Sequence, residues 1–411
     1  MFQGNVHPDF SRVAEVFLSQ LPDPRPGGAA LTVYHRGQRV VDIWGGTRDK
    51  QGTPWTPDTL ALSYSTTKGI ASTLLHIYAD RKAIHYDQRV AHYWPAFAQN
   101  GKADITVRQL LSHEAGLYDI RELIEDSQEM NDWDHMLELI EKAAPRHRPG
   151  SRNGYHGLTY GFLIGGLLEK VSGKRFADIL REELAEPLQL DGCYVGLPES
   201  EFGRAARLIR PDPKPEPTAP RKPRKPGLQA QLIGRALELS GFDNETSKMG
   251  LMPRGISRYD WNSHEVVAAC NPSAGGMFNS RSLAKIYLML ANHGQLEGRR
   301  YVSPTTFAAL SRVQNTSRGD VVPLPMRWRL GYHRVFTTGP RTPNAFGHFG
   351  FGGSGAWCDP SRGLAVGFVC NAGSGSPFGD LRLWQLNSVI IRAAEARGTI
   401  RHKIGSLLTG A

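Results

Sequence analysis

Much that would assign a chain to a class at sight is missing here. Only four cysteines occur in 411 residues, Cys193, Cys270, Cys358 and Cys370. They show no CxxC or other metal-ligand spacing, so they read as scattered core thiols, not as a zinc site or a disulfide framework. Long hydrophobic runs are missing too. The longest uncharged apolar stretch, Leu158 to Leu168, is broken by Gly161, Gly165 and Gly166 and falls short of the roughly 18 residues a bilayer span takes. The opening residues, Met1 to Pro8, offer neither a basic n-region nor an apolar h-region, so no export signal and a cytoplasmic location are expected. Acidic residues are too few to balance the basic ones, leaving a formal charge of +10. Part of that surplus is local. Arg210 to Pro226 carries six basic residues against two acidic ones, with seven prolines, and reads as a solvated, semi-rigid polyproline loop. No basic helix or aromatic-basic RNA motif accompanies it, so no nucleic-acid partner is expected. No internal repeat is seen.

The composition that remains, 40% hydrophobic and 9% aromatic, is that of a globular protein. The length suits one large two-lobed unit or two domains. Ala30 to Trp44 predicts a hairpin around Arg36-Gly37-Gln38. Thr106 to His113 predicts a short helix, with Thr106 and Gln109 as a capping box and Gly116 as its stop. His113 reads as a helix-terminal histidine held by packing or a backbone bond. Ile120 to Ala144 is helix-prone and charged. Leu158 to Val171 predicts a buried helix whose Gly161 and Gly165 admit a neighbouring backbone. Gln229 to Ser240 is a weaker helical pattern. Ser280 is placed as the cap of an amphipathic helix carrying Leu283, Ile286, Tyr287 and Leu290. Strands are expected at Trp328–His333, Phe346–Phe349, Gly355–Asp359 and Leu364–Asn371, and a terminal helix at Leu381–Ala394. Strands at both ends with helices between them predict an α+β fold: an antiparallel sheet from N- and C-terminal segments, flanked by helices, with a helical insertion. The expected division is an α/β lobe from residues 1–85 and 270–411 and a mostly helical lobe from 86–269.

The stretch with most chemical content is Ser65-Thr66-Thr67-Lys68. It follows the extended-looking run Thr59 to Tyr64 and opens a helical one from Gly69 to Ala79. A spacing of three puts the Ser65 hydroxyl and the Lys68 amine on one helical face, one turn apart. A serine needs a base within reach to act as a nucleophile, and a desolvated lysine can be that base. The N-terminus of a helix also offers a backbone N–H to a developing oxyanion. A serine cap beside an exposed lysine is the plainer reading of these four residues alone.

Taken together, further motifs resemble the serine β-lactamase and penicillin-binding-protein family. Ser65-Thr66-Thr67-Lys68 resembles its first motif. Tyr155-His156-Gly157, before a glycine-rich helix, looks like the second, and His348-Phe349-Gly350 is similar to the third in a His-x-Gly form. Leu110 to Leu117 resembles the Leu-Leu-x-His-x-x-Gly-Leu signature of the group, and the hairpin ending in Trp44-Gly45-Gly46 fits. The resemblance implies a β-lactamase/transpeptidase-like fold and an acyl-enzyme on Ser65, with Lys68 and Tyr155 as the proton-transfer pair and Tyr155 favoured as phenolate. It implies an oxyanion site at the N–H groups of Ser65 and Phe351, and substrate binding by His348 and Gly350. It implies no metal or organic cofactor. Gly157 and His348 stand where a β-lactamase carries asparagine and lysine, which points to the class C-like family VIII carboxylesterases and a small-molecule ester substrate. β-Lactamase or D-amino-acid peptidase activity, acyl transfer in secondary metabolism and a non-catalytic scaffold are the alternatives.

Overall fold

The structure, a computed structural model, describes residues 2–22, 25–209, 243–373 and 380–409, with side chains as far as Arg397. The Arg210–Pro226 loop and the Gln229–Ser240 helical pattern lie outside the described residues. Seven strands form one antiparallel sheet: β1 (Phe2–Val6), β2 (Gly28–His35), β3 (Gln38–Gly46), β4 (His333–Arg334), β5 (Phe346–Phe349), β6 (Gly355–Asp359) and β7 (Leu364–Cys370). Their spatial order is β1-β3-β2-β7-β6-β5-β4. The two ends of the chain therefore meet at the β2–β7 seam, where Leu364 faces His35 and Cys370 faces Ala29. The expected hairpin is present, and its turn places Arg36 and Gly37 at φ 52° and 79°, the left-handed pair that a tight hairpin requires.

Both faces of this sheet are covered, and alternation along β2 shows how. Leu31 and Val33 join Phe10, Val13 and Phe17, Leu386 and Ile390 in one core, under the helices Ser11–Gln20 and Leu381–Thr409. Ala30 belongs to the other core, and Thr32 meets Ser280 across the opposite face. There the helix Ser280–Ala291 lies so close that a Cβ on Gly367 of β7 would stand 2.3 Å from the Ser280 carbonyl oxygen. Asn279, not Ser280, caps that helix by accepting from the Ser282 N–H. Asparagine serves as well as serine there, so sequence placed the cap one residue late.

The helix Thr66–Asp80 is the central element, with every side chain from Thr66 to Tyr78 buried. A helix apolar or small all round belongs in a core. It packs against β5, which carries His348, and against the helix Tyr160–Ser172. Gly161 gives the close approach expected of it, since a Cβ there would lie 2.0 Å from the Ser273 nitrogen. Gly165 instead makes room for the Trp133 ring.

Three other expectations need revision. The Ile120–Ala144 stretch breaks into Ile120–Leu123, a 3₁₀ turn Ser127–Asn131 and the helix Trp133–Lys142. Asp126 and Asp132 each cap the element that follows them, so acidic caps divide what charge and propensity suggested was one helix. The capping box of Thr106 and Gln109 is present, but the helix ends at Leu111 and the left-handed turn falls on His113, at φ 61°. Finally, Trp328–Tyr332 is not a strand, and pairing starts only at His333.

Candidate active site

A short strand, Ala61–Leu62, runs into the helix through a sharp elbow. Tyr64 takes φ 45°, a left-handed conformation that costs a residue other than glycine on the order of 1–3 kcal/mol. Hydrogen bonds on both sides of the bend hold it. The Tyr64 carbonyl accepts from the Thr67 N–H at 3.0 Å and from its hydroxyl at 2.6 Å. The Ser63 N–H donates to Gly276 at 2.8 Å. Ser65 follows as the helix N-cap, and its side chain makes no capping bond. The hydroxyl is left for another partner.

That partner is Lys68. Its Nζ donates to Ser65 Oγ at 2.8 Å and to the Ser273 carbonyl at 2.7 Å. No carboxylate is paired with the amine among the described residues. Burial without a counter-ion disfavours the ammonium, and it holds the Lys68 pKa well below the ordinary lysine range. Tyr155 completes the group: its hydroxyl shares a hydrogen bond with the Ser65 side chain, and its ring centroid lies 5.2 Å from Lys68 Nζ. Burial pushes the phenol pKa above its usual value, and the bond to Ser65 only partly opposes this. The expected phenolate is therefore not what this environment favours. The amine supplies little positive charge to hold one, because it is itself desolvated.

Residues that sequence reasoning left aside fix the phenol. Trp328 stacks on the Tyr155 ring at 5.4 Å and 13°. His113 meets it at 5.1 Å, nearly edge-on. His113 is buried, and its Nδ1 accepts from the His156 N–H at 3.2 Å, which agrees with its reading as a packed, backbone-bonded histidine. His156 in turn accepts from the Leu117 N–H at 3.0 Å. Burial lowers the pKa of both histidines. Ser273 links the helices: its hydroxyl donates to Leu158 and accepts from the Gly161 N–H.

The third motif sits differently from expectation. His348 is 1% exposed and its ring lies 6.1 Å from that of Tyr155. It is outside the cleft lining, and burial, with His333 beside it, keeps the imidazole uncharged. Its ring packs against those of Tyr155, Trp328 and His333. Gly350 is also outside the lining. Its N–H already donates to the Ser354 carbonyl at 2.8 Å, and a Cβ there would lie 2.2 Å from the Ser63 carbonyl oxygen. Gly350 thus lets the chain after β5 pass close against the elbow. Phe351 does reach the cleft, is 46% exposed, and packs edge-on to Tyr64.

In front of Ser65 lies a cleft of about 710 Å³, lined by Tyr64, Tyr155, Gly157, Leu158, Leu251, Met252, Ile256, Trp261 and Phe351 among others. The arrangement joins a hydroxyl, a buried amine whose charge is disfavoured and a phenol at the end of an apolar cleft. That set can deprotonate an alcohol, form an acyl intermediate and return a proton.

Comparison with known proteins agrees with this geometry. Residues 17–389 match the family described as Beta-lactamase. The esterase/beta-lactamase LipL of Mycobacterium tuberculosis is 36% identical over 375 residues, 90% of this chain and 82% of the relative. A solved family VIII carboxylesterase superposes with a TM-score of 0.82 at 33% identity, covering 96% of this chain and all of that one. A penicillin-binding-protein homologue from Caulobacter crescentus gives 0.79 at 33% identity, over 96% and 100%. The chain belongs to the β-lactamase family and is a serine hydrolase of that class.

Proposed function

We propose that this protein is a carboxylesterase acting on neutral small-molecule esters through an acyl-enzyme on Ser65. The observation that carries the reading is the 2.8 Å contact between Ser65 Oγ and a lysine amine with no counter-ion. An uncharged Lys68 has a lone pair. One N–H stays on the Ser273 carbonyl and the 2.8 Å contact reverses, so that the Ser65 hydroxyl donates to the lone pair and gives up its proton as Oγ attacks the ester carbonyl. Tyr155, protonated, donates to the departing alkoxide and recovers its proton from Lys68. Water then attacks the acyl-enzyme, the same pair takes its proton and returns it to Ser65 Oγ as the C–Oγ bond breaks, and the acid leaves. The N–H groups of Ser65 and Phe351, which have no backbone acceptor among the described residues, would receive the oxyanion.

Two features favour esters over β-lactams and peptides. Residue 157 has no side chain to hold an amide. His348, in the place of a carboxylate-binding lysine, is buried and uncharged. A family VIII carboxylesterase among the solved relatives supports the same choice, while the relative named esterase/beta-lactamase is compatible with either activity. The test is hydrolysis of p-nitrophenyl esters from acetate to palmitate beside nitrocefin, with wild type and Ser65→Ala. Ester turnover that exceeds nitrocefin turnover and disappears with Ser65 supports the reading. Full activity of Ser65→Ala, or nitrocefin as the far better substrate, overturns it.

A further inference from the structure

The cleft has two walls of different chemistry. One is aromatic: Tyr64 meets Trp261 and Phe351 edge-on, with ring centroids 5.0 and 5.8 Å apart. The other is aliphatic, made by Gly157, Leu158, Leu251, Met252 and Ile256. At its centre Leu251 closes over Gly157. A Cβ added at Gly157 would lie 2.5 Å from Leu251 Cδ2 and 2.9 Å from the Gly250 carbonyl oxygen. The space beside position 157, two residues after Tyr155, is therefore filled by a hydrocarbon group from the end of the helix Asn244–Leu251.

Three polar residues of the lining are engaged or distant. Asn371 donates to the carbonyls of Thr47 and Arg207 and accepts from the Gly28 N–H, so it is already engaged. Lys248 is paired with Glu245 at 2.7 Å. Asn244 is exposed, a full helix length from Leu251. Ser247, one turn before Leu251, also lines the cleft and is half-buried, but among the described residues the side chains of Leu251 and Leu158 themselves offer a substrate only carbon.

We propose that Leu251 is the specificity-determining residue of this cleft. It selects esters whose substituent along the aliphatic wall is hydrocarbon, and it disfavours esters that place an amide there. An amide N–H or C=O pressed against Leu251 and Leu158 gives up water and gains no partner. A pocket of this kind discriminates on the order of 10-fold, up to about 10²-fold. The proposal rests on the ester-cleaving reading above and adds the substrate class to it.

The experiment uses isosteric pairs, so that shape is held constant. In the acyl half, p-nitrophenyl 4-methylpentanoate is compared with p-nitrophenyl N-acetylglycinate. In the alcohol half, isobutyl acetate is compared with glycolamide acetate. The kcat/KM ratio within each pair is measured for wild type, Leu251→Asn and Leu251→Gln, and cancels any loss of turnover common to both substrates. Fluorophosphonate labelling of Ser65 reports that each variant is folded, and either variant alone suffices. The expected result is a shift of about 10-fold or more toward the amide ester in at least one pair. Ratios that stay within about twofold of wild type in both pairs overturn the role of Leu251. If p-nitrophenyl acetate is still cleaved by wild type and not by Ser65→Ala, only the Leu251 proposal fails. No cleavage of any of these esters by wild type overturns both.

Discussion

Two lysines mark two regions of the cleft. Lys68 lies beneath its floor, fully buried, with Ser65 and the Ser273 carbonyl as its hydrogen-bond partners. Lys248 lies on the rim, 41% exposed on its side chain, with Glu245 three residues before it. The rim lysine has water and a carboxylate to hold its charge. The floor lysine has neither, so burial disfavours its charge and suits it to act as a base. The same contrast extends to their neighbours. The floor is packed with uncharged histidines and a stacked phenol, whereas the rim carries exposed Met252 and Phe351. Reactivity is set where water is excluded, and selectivity where carbon meets the substrate.

The largest test of that contrast removes each amine in turn. Lys68→Ala should lower kcat/KM for p-nitrophenyl acetate by about 10²–10⁴-fold, the usual worth of a general base. Lys248→Ala should cost less than an order of magnitude. Similar losses in the two variants would break the distinction.

Acid should strike the floor before the rim. Burial depresses His76 and His333 to about 4 and His156 to about 3, and holds His113 and His348 well below the usual 6.5. Above 6.5 these groups are neutral in both folded and unfolded chains. Below it, the unfolded chain gains protons that the folded one refuses, so stability falls as pH drops from about 6.5 toward about 4. Each such histidine withdraws about 1.4 kcal/mol per pH unit across its window. The expected readout is a Tm that declines steeply over that interval, and less steeply in His76→Phe. A flat Tm profile would contradict the buried, neutral histidines.

A smaller effect should follow from Trp328→Phe. It removes part of the surface stacked on Tyr155 while keeping an aromatic ring, so turnover should fall by about 10-fold or less as the phenol loosens, with KM little changed. A change in KM alone would place Trp328 in binding instead. The smallest effect lies far from the cleft. Thr106→Ala removes a capping box and should cost about 1 kcal/mol in urea unfolding with unchanged kcat.

How much of this was legible in the sequence follows from the distances involved. The hairpin, the capping box and the Ser65–Lys68 pair are local patterns within 15 residues of sequence at most, and periodicity or spacing carries them. Tyr155 was found through its motif, not through any local pattern. Ser273 was not found at all as a ligand of the amine, since its contact with Lys68 spans 205 residues of sequence and nothing in Pro272-Ser273-Ala274 announces it beyond a turn. Leu251 carries no chemical signal in the sequence, and its place over Gly157 depends on the helix Asn244–Leu251, whose start no pattern fixes. His348 and Gly350 are recognisable by motif, but that both are buried and lie outside the cleft lining is not legible in the motif. Sequence shows which group is present; whether it faces water or protein is decided by tertiary packing.

The central claim is that Lys68 is an uncharged amine at the pH where the protein works. The direct measurement is NMR titration of ¹³Cε-labelled lysine, with Lys68 assigned by its loss in Lys68→Ala. The account predicts a Lys68 resonance that titrates well below the free-lysine range and whose midpoint coincides with the acidic limb of kcat/KM. A Lys68 signal that remains charged throughout the pH range of ester turnover would contradict it.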